Sequence, residues 1–194
     1  MDTDIYAALR PVIEFLERKN IRHCVGGSLA SSSWSAPRST NDADVVADLD
    51  VSHAQPLADF LGEDFYVSVP SIRDAVTRRS SFNLIHYPTS LKVDIFVLKD
   101  REFDQQAMSR CVRRWFGPEG DGLEVWITAP KDIVLNKLVW YEKGNRISER
   151  QLLDIRNVLT VQQHNLDIDY LMKWATVLRV AELLEEALQD TGLA

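Results

Sequence analysis

Cysteine is scarce in this chain. Cys24 and Cys111 are the only two among 194 residues, too few for a disulfide framework. Both sit in apolar or mixed surroundings that suit reduced thiols. Histidine is nearly as sparse, and His23, His53, His86 and His164 show none of the spacing of a zinc site. Cys24 beside His23 suggests a nucleophile pair, but neighbours on a strand point to opposite faces, which argues against it. No apolar run approaches about 18 residues, so no membrane span is expected. The start, Met1-Asp2-Thr3-Asp4, lacks the basic head and apolar stretch of a signal peptide. The expectation is a cytoplasmic protein without a membrane partner. Basic excess is missing too: 22 Lys and Arg against 29 Asp and Glu give a net charge of −7. That excludes coating of nucleic acid by bulk charge, though not a local basic groove. No internal period or low-complexity segment is found.

What is present is ordinary for a globular protein. Hydrophobic residues make up 45%, enough at this length to bury a substantial core. Ile5, Leu9, Val12, Ile13 and Leu16 fall on one face of an amphipathic helix. Residues 21–25 read as a strand entering Gly26-Gly27-Ser28. A short serine-rich helix or turn over 29–34 follows, broken by Pro37. Residues 41–49 read as a strand, 51–62 and 71–79 as helices, 82–87 and 91–98 as a hairpin, and 122–127 as a further strand. A helix is expected over 101–109. From Pro130 the pattern is helical throughout, with Ser148 and Asp167 as caps. The expected fold is α/β (α+β): a small mixed sheet flanked by helices in residues 1–129, then a helical subdomain in 130–194 packed on that core.

One constellation carries chemistry. In the strand over 41–49, Asp42 and Asp44 share a face, roughly 7 Å apart along the backbone, and their flexible ends can converge on one or two ions. Asp94 stands alone among apolar strand residues and is the natural third ligand if its strand lies beside theirs. Three hard oxygen donors suit magnesium. Gly26-Gly27-Ser28, after a strand and before a helix, suits a turn whose backbone N–H groups meet phosphate. The same Ser28 also fits a helix cap, and the two glycines fit an ordinary turn.

This pattern resembles the DNA polymerase β-like nucleotidyltransferase superfamily. The family motif is an apolar residue, Gly, then Gly or Ser, a spacer, and Asp-x-Asp, with a third acid on a later strand. Here Gly27-Ser28 is followed by thirteen residues and then Asp42-Ala43-Asp44-Val45, and Asp94 lies in Val93-Asp94-Ile95. The stretch Arg38-Ser39-Thr40-Asn41-Asp42-Ala43-Asp44 is similar to the Arg-x-Thr-x-Asp-x-Asp signature of minimal bacterial members such as AbiEii-type toxins. Lys137 matches a helical lysine of those toxins, and Arg150 and Asp154 match parts of a later element in which Gln151 stands where an Asp is common. The resemblance implies transfer of a nucleoside monophosphate from a nucleoside triphosphate to an acceptor hydroxyl. It implies Mg2+, with Mn2+ as a substitute, on Asp42, Asp44 and Asp94. Nucleotide contacts are implied at Gly26, Gly27, Ser28, Arg38 and Lys137. The acceptor is left open among RNA such as tRNA, a protein and a small molecule, and a toxin–antitoxin partner is a further implication.

Bland readings stand beside these. Arg38 fits a surface position as readily as a partner for a site carboxylate. Lys137 fits a solvated helix face as readily as a triphosphate contact. Arg110, Arg113 and Arg114 form the densest basic cluster, read as a solvated face or as a contact for an acidic polymer. Trp126, Trp140 and Trp174 read as core. The competing class is a non-catalytic nucleotide-binding protein or antitoxin-type partner on the same fold.

Overall fold

A computed structural model describes residues 3–36, 38–116 and 122–193. Pro37, expected to break the second helix, and Met1 and Asp2 lie outside the described residues. The chain forms two compact units, one of Met1–Gly26 with Ser39–Ile127 and one of Gly27–Arg38 with Thr128–Ala194.

The first unit is built on a seven-stranded mixed sheet among the described residues. Its strands are β1 (His23–Val25), β2 (Asp42–Ala47), β3 (Phe65–Tyr66), β4 (Ser81–His86), β5 (Leu91–Val97), β6 (Val112–Phe116) and β7 (Leu123–Ile127), in the order β3-β4-β5-β2-β1-β7-β6. The central pair, β2 and β5, runs parallel; β4 and β5 form the expected antiparallel hairpin. Helix α1 (Thr3–Arg18) lays its apolar stripe on β2, β5 and β7. There it buries Ile5, Leu9, Val12, Ile13 and Leu16, each contributing about 1.5–3 kcal/mol relative to exposure. The helices α3 (Ala54–Leu61) and α4 (Val69–Arg78) complete that layer.

The strands alternate accordingly. Ala43, Val45 and Ala47 of β2 and Val93, Ile95 and Val97 of β5 are fully buried, while Asp42, Asp44, Lys92 and Asp94 lie on the opposite, partly exposed face. A short helix, α5 (Glu102–Ser109), brings Met108 against Cys24 and Leu98, with Cys111 and Trp126 beside them. Both cysteines are free thiols. Strand β3 and strand β6 were not expected from the sequence. β3 is only two residues long, and β6 exposes Val112 through Trp115, so neither shows a buried apolar alternation.

The second unit is helical. It contains α2 (Gly27–Trp34), α6 (Pro130–Lys143), α7 (Glu149–Gln162), α8 (Ile168–Leu178) and α9 (Ala181–Asp190). The caps fall where the sequence puts them. Ser148 accepts from the Gln151 amide and Asp167 from that of Tyr170, each satisfying a donor that the helix leaves open. Asn145 and Arg146, both at positive φ, turn the chain between α6 and α7. The apolar core draws on Leu29 and Trp34 of α2, Ile133 and Leu138 of α6, Ile155 and Leu159 of α7, and Trp174 and Leu184 beyond. Trp140 departs from expectation and is half exposed, with Lys143 lying over its ring. No described helix is long and apolar enough to cross a membrane.

Candidate active site

The parallel pairing of β2 with β5 sets Asp44 directly opposite Asp94 and Asp42 opposite Lys92. Side chains at such paired positions point the same way, so three carboxylates and one ammonium share the open face. Lys92 donates from Nζ to Asp94 Oδ2 at 2.7 Å. That bond, joined by the charges of Asp94, Asp42 and Asp44, holds the Lys92 ammonium above the usual lysine range despite some desolvation. Asp42 is oriented by Thr40, whose Oγ1 donates to Asp42 Oδ1 at 2.8 Å. Strand β4 adds Asn83 opposite Asp94 on the far side of β5.

The donor chemistry suits a hard divalent cation: oxygen only, anionic, partly exposed, and already drawing in the cation of Lys92. The carboxylates are not gathered to a point, however. Among the described residues no three His, Cys, Asp or Glu side chains close around a common position. Two hydrogen bonds account for this in part: Asp94 is turned to Lys92 and Asp42 to Thr40.

The Gly26-Gly27-Ser28 turn divides between two tasks. The Gly26 N–H donates to the Asp44 carbonyl at 2.8 Å and so belongs to the sheet. Gly27 opens α2 at φ 52°, a left-handed conformation that favours glycine. Ser28 follows within the first turn of α2, which carries no acidic side chain.

A second group of charged side chains lies in the second unit and centres on Asp154. Arg38 grips that carboxylate with two bonds, Nε to Oδ1 at 2.8 Å and Nη2 to Oδ2 at 2.7 Å. Lys137 Nζ donates to the same Oδ2, also at 2.7 Å, and to Gln151 Oε1 at 3.2 Å. Arg38 Nη2 further donates to Ser28 Oγ at 2.5 Å. Lys137 and Asp154 are both about 95% buried, each with a side-chain exposure of 5%. Burial alone would raise the Asp154 carboxyl, but the hydrogen bonds and charges of Arg38 and Lys137 outweigh it and hold the group below the usual carboxylate range.

Three of the residues expected to meet nucleotide, Ser28, Arg38 and Lys137, are thus joined in one hydrogen-bonded group. The solvated-face reading of Lys137 does not hold, because its ammonium is inside the helical pack. Arg38 pairs with a carboxylate outside the acidic triad. Lys92 carried no expectation from the sequence, and Thr40, Gln151 and Asp154 figured there only as positions within the family motifs. Within the dense arginine cluster, Arg113 is bonded to Glu17 and Glu124 and lies over Trp126, while Arg110 ends α5 and reaches Gln106.

No family model matches the chain, and no curated protein matches it in sequence. Solved structures do match. The solution structure of the antibiotic-resistance factor ANT(2'')-Ia is similar over 98% of this chain and 97% of its own length, with TM-score 0.58 and 15% identity. A crystal structure of ANT(2'')-Ia with adenylyl-2''-tobramycin covers 90% of this chain and 96% of its own, with TM-score 0.56 and 11% identity. An antigenic nucleotidyltransferase-like protein from Paracoccidioides brasiliensis covers 96% and 92%, with TM-score 0.53 and 16% identity. The chain therefore shares the fold of these solved structures.

Proposed function

We propose that this protein is a nucleotidyltransferase that moves a nucleoside monophosphate from a nucleoside triphosphate to a hydroxyl of an acceptor. The observation that carries this reading is the acidic row: Asp44 and Asp94 in register on adjacent parallel strands, with Asp42 on the same open face. Mg2+, or Mn2+ in its place, held by Asp42, Asp44 and Asp94, would supply charge neutralisation at the triphosphate. Asp94 takes the proton of the acceptor hydroxyl as its oxygen bonds to the α-phosphorus. The bond from the α-phosphorus to the bridging oxygen breaks, and pyrophosphate leaves with the electron pair. Thr40 keeps Asp42 turned toward the shared face. Gly27 and Ser28, at the start of α2, together with Arg38 and Lys137, receive the outer phosphates.

The acceptor in this proposal is a small molecule. The adenylyl-2''-tobramycin held by one solved neighbour supports that choice, and so does the neutralisation of Arg113 by two glutamates. An RNA or protein acceptor and a role in a toxin–antitoxin pair are the alternatives that the experiment separates. Magnesium-dependent pyrophosphate release is measured with each nucleoside triphosphate, alone and with tobramycin and related amino-sugar compounds, bulk tRNA, or cell protein. The expected result is release with a hydroxylated small molecule, reduced roughly 10²–10⁴-fold in Asp94→Asn. Full turnover in both Asp44→Asn and Asp94→Asn would sink the assignment. Release only with tRNA or protein would move the acceptor class.

A further inference from the structure

We propose that Asp154 is a positioning residue that gathers Arg38 and Lys137 into one fixed pair and, through Arg38, sets the Ser28 hydroxyl, so that the second unit presents a preassembled place for the outer phosphates of a nucleoside triphosphate. The ligand class rests on the nucleotidyltransferase reading; the role of Asp154 rests on its own geometry.

Arg38 Nη2 and Lys137 Nζ both lie 2.7 Å from the same oxygen, Asp154 Oδ2, so they are no more than twice that distance apart. Two cations so close repel each other, and in a poorly solvated site the repulsion is weakly screened. The carboxylate between them offsets it. A phosphate chain arriving there meets the Arg38 guanidinium, whose side chain is 22% exposed, with the buried Lys137 ammonium adding its charge from behind and both rotamers already fixed, which is preorganisation in the sense used for binding sites. The two bonds from Arg38 match the fork of the guanidinium to the carboxylate and set its plane. Lys137 is held by Gln151 as well as Asp154 and rises from the apolar stripe of Ile133, Val134 and Leu138.

Ser28 completes the arrangement. Its Oγ accepts from Arg38, so its own hydroxyl proton points elsewhere and serves as a donor. A phosphate oxygen is an acceptor-only partner and fits that donor. Ser28 also stands in the first turn of α2, where backbone N–H groups lack acceptors within the helix. Asp154 itself touches no phosphate in this scheme, since two anions would repel; it acts through Arg38, Lys137 and, at one remove, Ser28. Its place on the buried stripe of α7, with Ile155 and Val158, suits a residue that orients others.

The test uses the full chain. Sodium tripolyphosphate is titrated calorimetrically into wild type, Asp154→Asn and Asp154→Glu, with thermal unfolding of each and KM and kcat for the nucleoside triphosphate. Asp154→Asn keeps the shape and drops the charge. Asp154→Glu keeps the charge, so it spares the fold where the amide does not, but moves the carboxylate away from both cations. Positioning predicts that tripolyphosphate affinity falls about tenfold or more in either folded variant. The nucleotide KM rises in parallel, while kcat changes little. A merely structural ion pair predicts a lower melting temperature with unchanged affinity and KM. Wild-type tripolyphosphate affinity in either variant overturns the role of Asp154 and leaves the nucleotidyltransferase reading standing. Failure of wild type to bind either tripolyphosphate or nucleotide overturns both.

Discussion

The two charged groups of this protein are opposites in composition and in setting. On the sheet of the first unit, three carboxylates surround one ammonium on a partly exposed face; Asp94 is 20% exposed and Lys92 44%. In the helical unit, one buried carboxylate is shared by the buried Lys137 and by Arg38, whose side chain is 22% exposed. The first arrangement carries a net negative charge and calls for a cation, while the second, with two cations on one carboxylate, is net positive. Lys137 and Asp154 are more deeply buried than Asp94 and Lys92. A buried ammonium such as that of Lys137 is tolerated where a carboxylate compensates it, as Asp154 does.

Breaking each group tests that contrast, and the largest effect is expected in the helical unit. Asp154→Ala leaves the buried Lys137 without its carboxylate and beside the Arg38 guanidinium, and removing one partner of a buried ion pair costs about 3–5 kcal/mol. Asp42→Asn in the sheet removes one of three neighbouring acids and is expected to leave stability within about 0.5 kcal/mol of wild type, or to raise it. Urea unfolding of the two variants checks the difference directly. Equal losses would mean that the two groups are energetically alike, and the comparison would fail.

How far these groups were legible in the sequence follows the same line. The acidic row could be read because strand alternation is a period of two and needs only local spacing: Asp42 and Asp44 fall on one face, and an acid among Val93, Ile95 and Val97 is conspicuous. The sheet order that sets Asp44 against Asp94 could not be read, since it depends on pairing across about fifty residues of chain. Asp154 had a local signal that was underused. It occupies the same helical stripe as Ile155, Val158 and Leu159, as Lys137 does with Ile133, Val134 and Leu138. Opposite charges on the apolar stripes of two consecutive helices point to a buried pair. Ser148 does cap α7 by accepting from the Gln151 amide, while the Gln151 side chain accepts from Lys137, a contact between helices that local spacing does not show. Strand β6 lacks a readable signal because four of its five residues, Val112 to Trp115, are exposed and no apolar alternation marks it.

A smaller effect separates the turn from the groups it joins. Gly27→Val forces a β-branched residue into the left-handed region at φ 52°, at a cost of roughly 1–2 kcal/mol. If Gly27 also lies against phosphate, tripolyphosphate affinity falls by more than the melting temperature alone explains. Gly27→Ala, with the smaller side chain, then gives an intermediate affinity. Unchanged affinity in a folded Gly27→Val protein would leave the turn with a structural role only.

Lys92 sharpens the other half of the comparison. Its ammonium competes for Asp94 with any incoming cation, and a partly exposed ion pair is worth about 0–1 kcal/mol. Lys92→Met is therefore expected to raise Mn2+ affinity by up to about fivefold, measured by electron paramagnetic resonance of free Mn2+. Weaker Mn2+ binding in Lys92→Met would mean that the lysine helps to assemble the carboxylates.

The smallest effect is a difference in how stability depends on pH. Asp154 is held below the ordinary carboxylate range, so the folded state binds its proton less readily than the unfolded chain does. Its contribution is fully present above the unfolded value, about 3.9, and is lost as pH falls through the depressed folded value. Lys92 is the reverse. Its folded value lies above that of the unfolded chain, so its contribution is fully present below about 10.4 and is lost as pH rises through the raised value. Because the Lys92 side chain is 44% exposed, water and salt screen the pair, and the alkaline effect is expected to stay under about 1 kcal/mol. Urea unfolding from acid to alkaline pH, for wild type, Asp154→Asn and Lys92→Met, isolates the two windows by difference. Asp154→Asn should diverge least from wild type at the acid end, where the wild-type carboxyl is itself protonated. Lys92→Met should diverge least at the alkaline end, where the wild-type ammonium has lost its proton. A Lys92→Met curve parallel to wild type throughout would mean that the ammonium contributes nothing to folding and that its pairing with Asp94 matters only for what the acidic face binds.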